Sequence, residues 1–157
     1  MVKIKIPHQD KISKLNTETY KFNIGKKDDI ELLESLRIRS IENCKYYTKE
    51  QLDIWKSSIP DWTNIINNTI ICNYKNELSG LVSIRDNELY LLYVDPLFQK
   101  HGIGDKLVSL VETQGIVCDT NSNSERLLIK RGWVFSSDNI KEIRGQVFNN
   151  KWYTFNG

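Results

Sequence analysis

The residues best suited to chemistry lie in one segment, where a strand-like run ends and a glycine-bearing turn leads into a helix. Residues 93–107 of this segment read YVDPLFQKHGIGDKL. The N–H groups at a helix start are unpaired and lie at the positive end of the helix dipole, so they suit a phosphate. Gly102 and Gly104 lack a Cβ and therefore allow the backbone to approach phosphate oxygens closely. Asp105 disfavours phosphate binding, because it adds a negative charge in the first helical turn. Asp is also common at this position in helices without any ligand, because the helix dipole stabilises its charge. The segment predicts an anion-binding loop, with a plain tight turn as the alternative.

Two familiar phosphate motifs and a metal site are excluded. No Gly-Lys-Ser/Thr follows the loop, and no G-x-G-x-x-G follows a first parallel strand, so neither the P-loop nor the dinucleotide fingerprint is present. His8 and His101 are the only histidines, which excludes a multi-histidine metal site. Cys44, Cys72 and Cys118 are odd in number and widely spaced, unlike a disulfide framework or a metal-ligand pattern. We expect them to be buried small hydrophobic residues.

Composition places the chain among ordinary globular domains. With 157 residues and 39% hydrophobic content, we expect one domain spanning residues 1–157. The net charge of +2 gives no general attraction to nucleic acid or to a membrane. Apolar runs such as Leu91–Val94 are far shorter than the roughly 20 residues that span a bilayer, and the N-terminus lacks the apolar region of a secretory signal. We therefore expect a soluble, cytoplasmic protein.

The first half of the chain predicts a strand, two helices and an antiparallel meander. Residues 1–18 are interpreted as an N-terminal arm or an added edge strand. Residues 19–24 alternate as a half-buried strand, and a helix follows from Asp28. The second helix begins at a capping box in which Thr48 and Gln51 cap each other. Three strands follow, joined by Lys75-Asn76 and Asp86-Asn87, which tolerate the left-handed conformation of hairpin turns; the strands are Thr69–Tyr74, Leu78–Arg85 and Glu88–Val94.

The second half predicts two more helices separated by a strand. A helix runs from the glycine-bearing turn to Gly115, and residues 116–118 form a short buried strand. A second capping box, residues 122–125, opens a helix that ends at Gly132. Residues 133–135 and 147–155 are interpreted as the final strands. This order predicts one mixed α/β sheet.

At this point the sequence resembles a known family. The run from Gln99 to Gly104 matches the Q/R-x-x-G-x-G/A signature of the GNAT superfamily of N-acetyltransferases. Residues 47–55, YTKEQLDIW, are similar to the YTPEQ-x-x-W stretch of small bacterial members, and Arg144, Gly145 and Asn150 fit the R-G-x-x-x-x-N stretch of the same group. The resemblance covers about residues 19–155. It implies an α/β (α+β) fold with a mixed, mostly antiparallel central sheet flanked by about four helices.

The resemblance also implies a cosubstrate, acetyl-CoA, and no metal. In the family the signature loop binds the pyrophosphate of coenzyme A through backbone amides, and the strand before it pairs with the pantetheine arm. Asn121 matches the Asn of the family's later N-x-x-A-x-x-x-Y-x-x-x-G-F pattern, whereas Leu128 stands at the Tyr that often protonates the leaving thiolate. The cofactor-binding residues implied are Tyr93, Val94, Gln99, Lys100, His101, Gly102, Ile103, Gly104 and Asn121.

Catalytic residues are not fixed by this resemblance, and three candidates lie on the strand that enters the loop: Glu88, Tyr90 and Tyr93. Glu88 could accept the amine proton directly or through one water. Simple alternation places Glu88 and Tyr90 on one face of the strand and Tyr93 on the other. The alternatives are a solvated Glu88 beside a turn and tyrosines that only pack in the sheet.

The function expected is acetyl transfer from acetyl-CoA to a primary amine of a small molecule or peptide, by direct attack in a ternary complex. Within the enzyme class, another acyl group or an oxygen acceptor stays open. A catalytically weak or inactive module that binds coenzyme A or a partner protein is the alternative of another class, favoured by Leu128. Nucleic acid is disfavoured because no basic stripe is present. We expect a monomer or a homodimer.

Overall fold

A single mixed sheet organises the chain. The computed structural model describes residues 4–7 and 9–157. Within those residues, seven strands follow the order β1-β2-β3-β4-β5-β7-β6, and every neighbouring pair is antiparallel except β4 and β5. The expected mixed, mostly antiparallel sheet is therefore confirmed. The strands are β1 Tyr20–Ile24, β2 Thr69–Tyr74, β3 Glu77–Arg85, β4 Glu88–Val94, β5 Val117–Thr120, β6 Val134–Ile143 and β7 Gln146–Thr154.

Helices cover both faces of this sheet. They are α1 Gln9–Ser13, α2 Ile30–Glu42, α3 Lys49–Ser57, α4 Trp62–Ile65, α5 Ile103–Val111 and α6 Ser122–Lys130. In the described part of the chain, four of these have nine or more residues, which agrees with the expected number. No helix in that part is both long and apolar enough to cross a bilayer.

The N-terminal arm contains a short helix. Of the predicted arm or edge strand at residues 1–18, the described residues contain α1, and the Ile4 N–H donates to the Asp86 carbonyl at 2.9 Å. Residues 1–3 and 8 lie outside the described residues.

One predicted helix cap is confirmed and one is wrong. The Gln51 N–H donates to Thr48 Oγ1 at 3.2 Å, and the Thr48 N–H donates to Gln51 Oε1 at 2.8 Å, so the first capping box is present. The second, at residues 122–125, is not formed. Asn121 caps α6 by accepting the Asn123 N–H at 2.9 Å. Glu125 is drawn away from the cap because it accepts the Tyr153 hydroxyl at 2.5 Å.

Two apolar clusters lie on opposite faces of the sheet. The buried apolar side chains of α5 and α6 join those of β1 to β5, with Ile103, Leu107 and Leu128 at 0–1% exposure. On the other face α2 and α4 pack on β2 to β4, with Leu33 and Leu36 fully buried and Trp55 of α3 packed at the edge. All three cysteines are buried, as expected, at Cys44, Cys72 and Cys118.

The β2–β3–β4 meander forms where its turn residues predict it. Lys75, Asn76 and Asp86 all have positive φ, at 50°, 67° and 55°, as tight hairpins require. Within the β3–β4 pair, Ser83 lies opposite Leu91 but Ile84 lies opposite Leu89. Tyr90 is thus an extra residue, a β-bulge. A bulge bends its strand and redirects the side chains that follow it.

The last hairpin is longer than predicted. The sequence places strands at residues 133–135 and 147–155, but β6 continues to Ile143 and pairs along its length with β7. Arg144 and Gly145, with φ of 49° and 81°, make the turn between them. β6 is the edge strand of the sheet, and its pairing with β7 holds it although most of its side chains are exposed.

Candidate active site

The sheet opens in its middle, between β4 and β5. These parallel strands pair only at Glu88 with Val117 and at Leu89 with Cys118. The next residues, Tyr90 and Asp119, are not paired with each other, and the bulge at Tyr90 bends β4 at this point. We call the gap between residues 90–94 and residues 119–120 the opening. Its closed end is at Glu88 and Leu89, and its wide end leads to the loop before α5.

One edge of the opening carries unpaired backbone groups of β4. The Asp95 N–H donates to the Ser79 carbonyl at 2.8 Å, so the backbone of Asp95 faces β3. Because these directions alternate along a strand, the Tyr93 backbone also faces β3, while those of Leu92 and Val94 face the opening. The Val94 carbonyl already accepts the Ser40 hydroxyl and the Gln99 amide at 3.1 and 3.2 Å. Of Tyr93 and Val94, the two residues expected to pair with pantetheine, the backbone of Val94 faces the opening and that of Tyr93 faces β3.

At the wide end, the loop presents the free N–H groups of a helix start. Helix α5 begins at Ile103, and its N-cap, Gly102, has φ of 72° and no side chain to cap the helix. The N–H groups of Ile103, Gly104 and Asp105 therefore lack intrahelical acceptors. A Cβ added to Gly102 would meet only the Lys106 amine, at 3.8 Å, so the space above this turn is open.

Glycine is needed at the two loop positions, 102 and 104, for different reasons. Gly102 adopts a left-handed backbone, which glycine tolerates without strain. Gly104 does not have positive φ. A Cβ at Gly104 would come within 3.3 Å of Leu127 and 3.6 Å of Val94. The second glycine therefore allows α5 to pack closely against α6 and the end of β4.

The start of the loop is fixed by a buried carboxylate. Asp95 is 3% exposed, and its Oδ2 accepts two hydrogen bonds from the Arg39 guanidinium, at 3.1 and 2.7 Å. Its Oδ1 accepts the Leu97 N–H at 3.0 Å. This bidentate pair ties α2 to the end of β4 and so fixes where the loop begins.

Asp105 pairs with an arginine that follows a neighbouring helix. Arg131, just after α6, donates to Asp105 at 3.0 Å and makes two hydrogen bonds to Glu112, at 2.8 and 2.7 Å. Trp133 donates its indole N–H to the same Glu112 at 2.9 Å. Arg131 therefore offsets part of the charge of Asp105, the carboxylate that disfavours an anion at this loop, because its single positive charge is shared with Glu112.

The His101 ring packs against an aromatic side chain. It stacks on Tyr74 with ring centroids 4.6 Å apart, and the Tyr20 hydroxyl donates to the His101 carbonyl at 2.7 Å. Lys106 lies with its amine 4.6 Å from the Tyr20 ring. These contacts hold the loop from the β1–β2 side. The neighbouring Gln99 and Lys100 are exposed, and Lys100 adopts φ of 68°.

Glu88 lies at the closed end of the opening, beside a surface cavity. Burial and the nearby Asp119 raise the pKa of the Glu88 carboxyl, and the Arg85 guanidinium, 3.8 Å away, lowers it; the net direction is upward. The cavity measures about 470 Å³. Its lining comprises Arg85, Asp86, Asn87, Glu88, Val117, Ser136, Ser137 and Trp152. Glu88 is thus a half-buried carboxylate next to a space that a small molecule could enter.

The two tyrosine candidates lie on one face. Tyr90 and Tyr93 pack in the same cluster, beneath α2 and α3, so the expected opposite placement is wrong. The cause is the bulge at Tyr90, which interrupts the alternation. Burial raises the pKa of Tyr93, and its hydroxyl accepts the Trp55 indole N–H at 3.1 Å. The ring of Tyr90 lies under the Arg85 guanidinium, 3.6 Å from its carbon.

Helix α3 places further aromatic rings on this face. Trp55 lies 5.6 Å from the ring of Tyr47 and 6.1 Å from that of Tyr93, so the three rings form a row from the β7 side to β4. The Tyr47 hydroxyl donates to Asn150 Oδ1 at 2.9 Å on β7. Burial raises the pKa of Tyr47 to about 12, with a smaller contribution from Asp119. The C-terminal end of α3 is held by the buried Arg37, which donates to main-chain carbonyls at residues 55, 56 and 58.

Sequence reasoning missed two charged residues of this face. Asp119 accepts the Lys141 amine at 2.6 Å and lies immediately beyond the last β4–β5 pair. The signal was the alternation of the predicted strand: Cys118 is buried among apolar side chains, so the next residue must point to the other face. No sequence pattern pointed to Lys141, because the predicted final strands at residues 133–135 and 147–155 do not include it.

The last expected site residue, Asn121, is the N-cap of α6, and Leu128, at the position of the family's tyrosine, lies in the last turn of that helix. Asn121 follows β5 directly, and its Oδ1 is occupied by the cap of α6. Leu128 is fully buried in the cluster under α5 and α6, so this position carries no proton donor. In the described residues no group of three or more His, Cys, Asp or Glu is arranged to hold a metal ion.

A family model described as an acetyltransferase (GNAT) domain matches residues 43–147, two thirds of the chain. The chain belongs to the GNAT acetyltransferase family. This makes it an acyltransferase. The signature loop, the opening and the YTKEQLDIW stretch at residues 47–55 all lie inside the matched range. No curated protein matches the chain at a significant level.

Solved GNAT structures share the fold. A GCN5-related N-acetyltransferase from Rhodopseudomonas palustris superposes with a TM-score of 0.78 at 20% identity, covering 100% of this chain and 99% of its own. A putative acetyltransferase from Salmonella typhimurium, solved with acetyl-CoA, gives 0.63 at 14% identity over 88% and 94%. An acetyltransferase of the same organism that modifies the N-terminal serine of ribosomal protein L7/L12 gives 0.62 at 13% identity over 87% and 94%. At these identities the likeness concerns the fold, and the GNAT assignment comes from the family model.

Proposed function

We propose that this GNAT protein transfers the acetyl group of acetyl-CoA to a primary amine of a small molecule or peptide, by direct attack in a ternary complex. One observation carries the proposal. The opening in the sheet has free helix N–H groups at its wide end and a half-buried carboxylate, Glu88, at its closed end. A long thioester with phosphates at one end fits this arrangement, with its phosphates at the N–H groups and its thioester near Glu88.

The residues around the opening suit the parts of coenzyme A. The free N–H groups at Ile103, Gly104 and Asp105 supply donors for the pyrophosphate, and Arg131 offsets part of the charge of the Asp105 carboxylate beside them. The backbones of Leu92 and Val94 face the opening without a partner strand, and apart from the Val94 carbonyl, which accepts Ser40 and Gln99, they offer hydrogen-bonding groups to the amides of the pantetheine arm. Bound coenzyme A supplies an activated thioester, and the arm along this edge brings that thioester toward the closed end.

Glu88 is placed to take the proton of the attacking amine. The amine nitrogen forms a bond to the acetyl carbon, the carbon–sulfur bond breaks, and its electron pair leaves on sulfur. The proton lost by nitrogen passes to the Glu88 carboxylate, directly or through one water. Burial raises the pKa of Glu88, which makes its carboxylate a stronger base than an exposed Glu.

The leaving sulfur does not depend on position 128. Leu128 has no proton to give, and it is fully buried. A thiol has a pKa of about 8.5, so its thiolate is stable enough to leave unprotonated or to take a proton from water. The missing tyrosine therefore leaves the transfer reaction possible.

The acceptor is proposed as a class. One solved relative modifies an N-terminal serine of a ribosomal protein, which shows that this fold accommodates a peptide amine. The cavity of about 470 Å³ beside Glu88 could receive an amine of either source, small molecule or chain terminus.

The test is a thiol-release assay with acetyl-CoA over amines, amino acids, aminoglycosides and peptides, accompanied by a melting curve with coenzyme A. We expect a rise in melting temperature, since coenzyme A binds the native state, and thiol release with at least one amine. Stabilisation without any thiol release would favour the alternative, a module that binds coenzyme A without turnover. An unchanged melting curve at millimolar acetyl-CoA would refute both.

A further inference from the structure

Within the described residues, one buried carboxylate oxygen beside the opening has no hydrogen-bond partner. The Oδ2 atom of Asp119 accepts the Lys141 amine at 2.6 Å, but Oδ1 is buried and bonded to nothing within the described chain. Only 15% of the Asp119 side chain is exposed. A buried polar atom left unpaired destabilises the folded protein, and more so if it is charged. Such an atom is satisfied when a bound molecule supplies an N–H or O–H.

Asp119 lies beside the closed end of the opening, where the proposed function brings the thioester. It is the first β5 residue beyond the last residue pair of β4 and β5, so it lies next to the closed end of the opening. Its neighbours Cys118 and Thr120 point toward α5 and α6, since Cys118 packs in that cluster and Thr120 meets Ser124 of α6. Asp119 therefore points to the other face, where it influences both Glu88 and Tyr47 electrostatically.

The chemistry of this oxygen favours a donor with positive charge. Asp119 is acceptor-only when ionised, and its single partner, Lys141, is itself 40% exposed. A second donor that is an ammonium adds an ion pair to the hydrogen bond in a partly buried place, where the attraction is stronger than in water. A hydroxyl supplies the hydrogen bond without the charge. An acceptor carboxylate at this point is repelled.

We propose that Asp119 binds the amino group of the acceptor through Oδ1 and so selects cationic amines over alcohols. The proposal rests on the proposed function and deepens it, because it names the residue that recognises the amine. Asp119 is a positioning and specificity residue. The bound ammonium gives one proton to the Glu88 carboxylate before its nitrogen attacks, and the second proton, lost as the amide forms, passes to the leaving thiolate or to water. The amine nitrogen then lies between β5 and β4, beside the closed end of the opening.

The first test measures binding without reaction. Wild-type protein saturated with coenzyme A, which carries no acetyl group, is titrated calorimetrically near pH 7 with 1,4-diaminobutane, benzylamine and a short peptide with a free N-terminus. The isosteric alcohols 1,4-butanediol and benzyl alcohol serve as ligand controls. Glu125→Gln is the matched protein control, because it removes another carboxylate that pairs with a lysine, Lys151, and with Tyr153.

We expect at least one of these amines to bind, the alcohol of the same shape to bind at least tenfold more weakly, and Asp119→Asn to weaken the amine at least tenfold. Glu125→Gln should bind the amine as wild type does. Lys141→Met separates the proposal from a structural ion pair, since it leaves the Asp119 carboxylate in place. Amine binding should survive in Lys141→Met and be lost in Asp119→Asn.

Three results would each overturn the proposal: none of the probe amines binds, the alcohols bind as well as the amines, or Asp119→Asn binds amines as Glu125→Gln does. The proposed function fails in a different way. If binding depends on Asp119 but acetyl-CoA releases no thiol with the bound amine, the recognition site stands and acetyl transfer does not. With a turned-over amine, Asp119→Asn should raise its KM at least tenfold and change kcat by less than threefold.

Discussion

Replacing Gly102 by Val tests how the loop holds phosphates. Gly102 has φ of 72°, and the space where its Cβ would stand is open except for the Lys106 amine at 3.8 Å. An L residue in this left-handed region costs at least about 1–2 kcal/mol. For a chain of this length that corresponds to a fall in melting temperature of roughly 2–8 °C.

The same strain arises at Gly115, which serves as the control. Gly115 has φ of 87°, nothing within 4 Å of an added Cβ, and a position beyond the other end of α5. Gly115→Val should therefore lose a similar amount of stability and keep the affinity for coenzyme A. Gly102→Val should in addition lose one or more hydrogen bonds from the loop to phosphate. At about 1.5–3 kcal/mol for a charged partner, each lost bond weakens binding roughly 10- to 100-fold.

Calorimetric titration with coenzyme A, well below both melting temperatures, separates the two effects. His101→Ala provides a second comparison, because it removes the ring stacked on Tyr74 and keeps the backbone N–H; its affinity should fall much less than that of Gly102→Val. The reasoning about phosphate capture is refuted if Gly115→Val weakens coenzyme A as much as Gly102→Val, or if Gly102→Val is destabilised yet binds normally.

Three further substitutions test the catalytic carboxylate, the core under α6 and the charge beside the loop. Glu88→Gln should lower kcat for thiol release about 10²- to 10⁴-fold without changing coenzyme A affinity. It should also abolish the low-pH limb of the rate profile, because that limb is protonation of Glu88, whose pKa is raised by burial; wild-type rates would place the base elsewhere. Leu128→Ala should reduce the free energy of unfolding in urea by about 2–5 kcal/mol, since Leu128 is fully buried, and an equal change in coenzyme A affinity would contradict a packing role. Arg131→Met should weaken coenzyme A several-fold by releasing the charge of Asp105, and adding Asp105→Asn should restore titrated affinity; no restoration would mean that Arg131 acts otherwise.

The sequence predicted the middle of the sheet well because its turns are chemically distinctive. Lys75-Asn76 and Asp86 adopt the left-handed conformations that their residue types favour, and strands β2 to β4 begin and end within one residue of the prediction. The signature loop was found for a similar reason. Gly102 has the positive φ that its position before α5 requires.

The sequence could not reveal the bulge or the length of the last hairpin. Tyr90 and Leu91 are both apolar, so no break in polarity marks Tyr90 as the extra residue, although it moves two tyrosines to one face. Residues 136–139 of β6 read Ser-Ser-Asp-Asn, which resembles a turn. They are strand because β7 supplies their hydrogen bonds, and hydrogen bonding to a distant segment leaves no local pattern. Lys141, and with it the ion pair of Asp119, was missed for that reason.

The side chain of Gln51 joins two parts of the molecule into one unit of local unfolding. Its Oε1 accepts the Thr48 N–H at the start of α3, and its Nε2 donates to the Val147 carbonyl of the β6–β7 hairpin at 2.7 Å. Separation of the two segments breaks the Nε2–Val147 bond and frees the Gln51 side chain that also caps α3. Amide hydrogens in the first turns of α3 and at the beginning of β7 should therefore show a common free energy of opening in hydrogen exchange, as members of one cooperative unit do. Trp55, which packs near Tyr93, lies on the same helix, so we expect its position to follow the state of the β6–β7 hairpin.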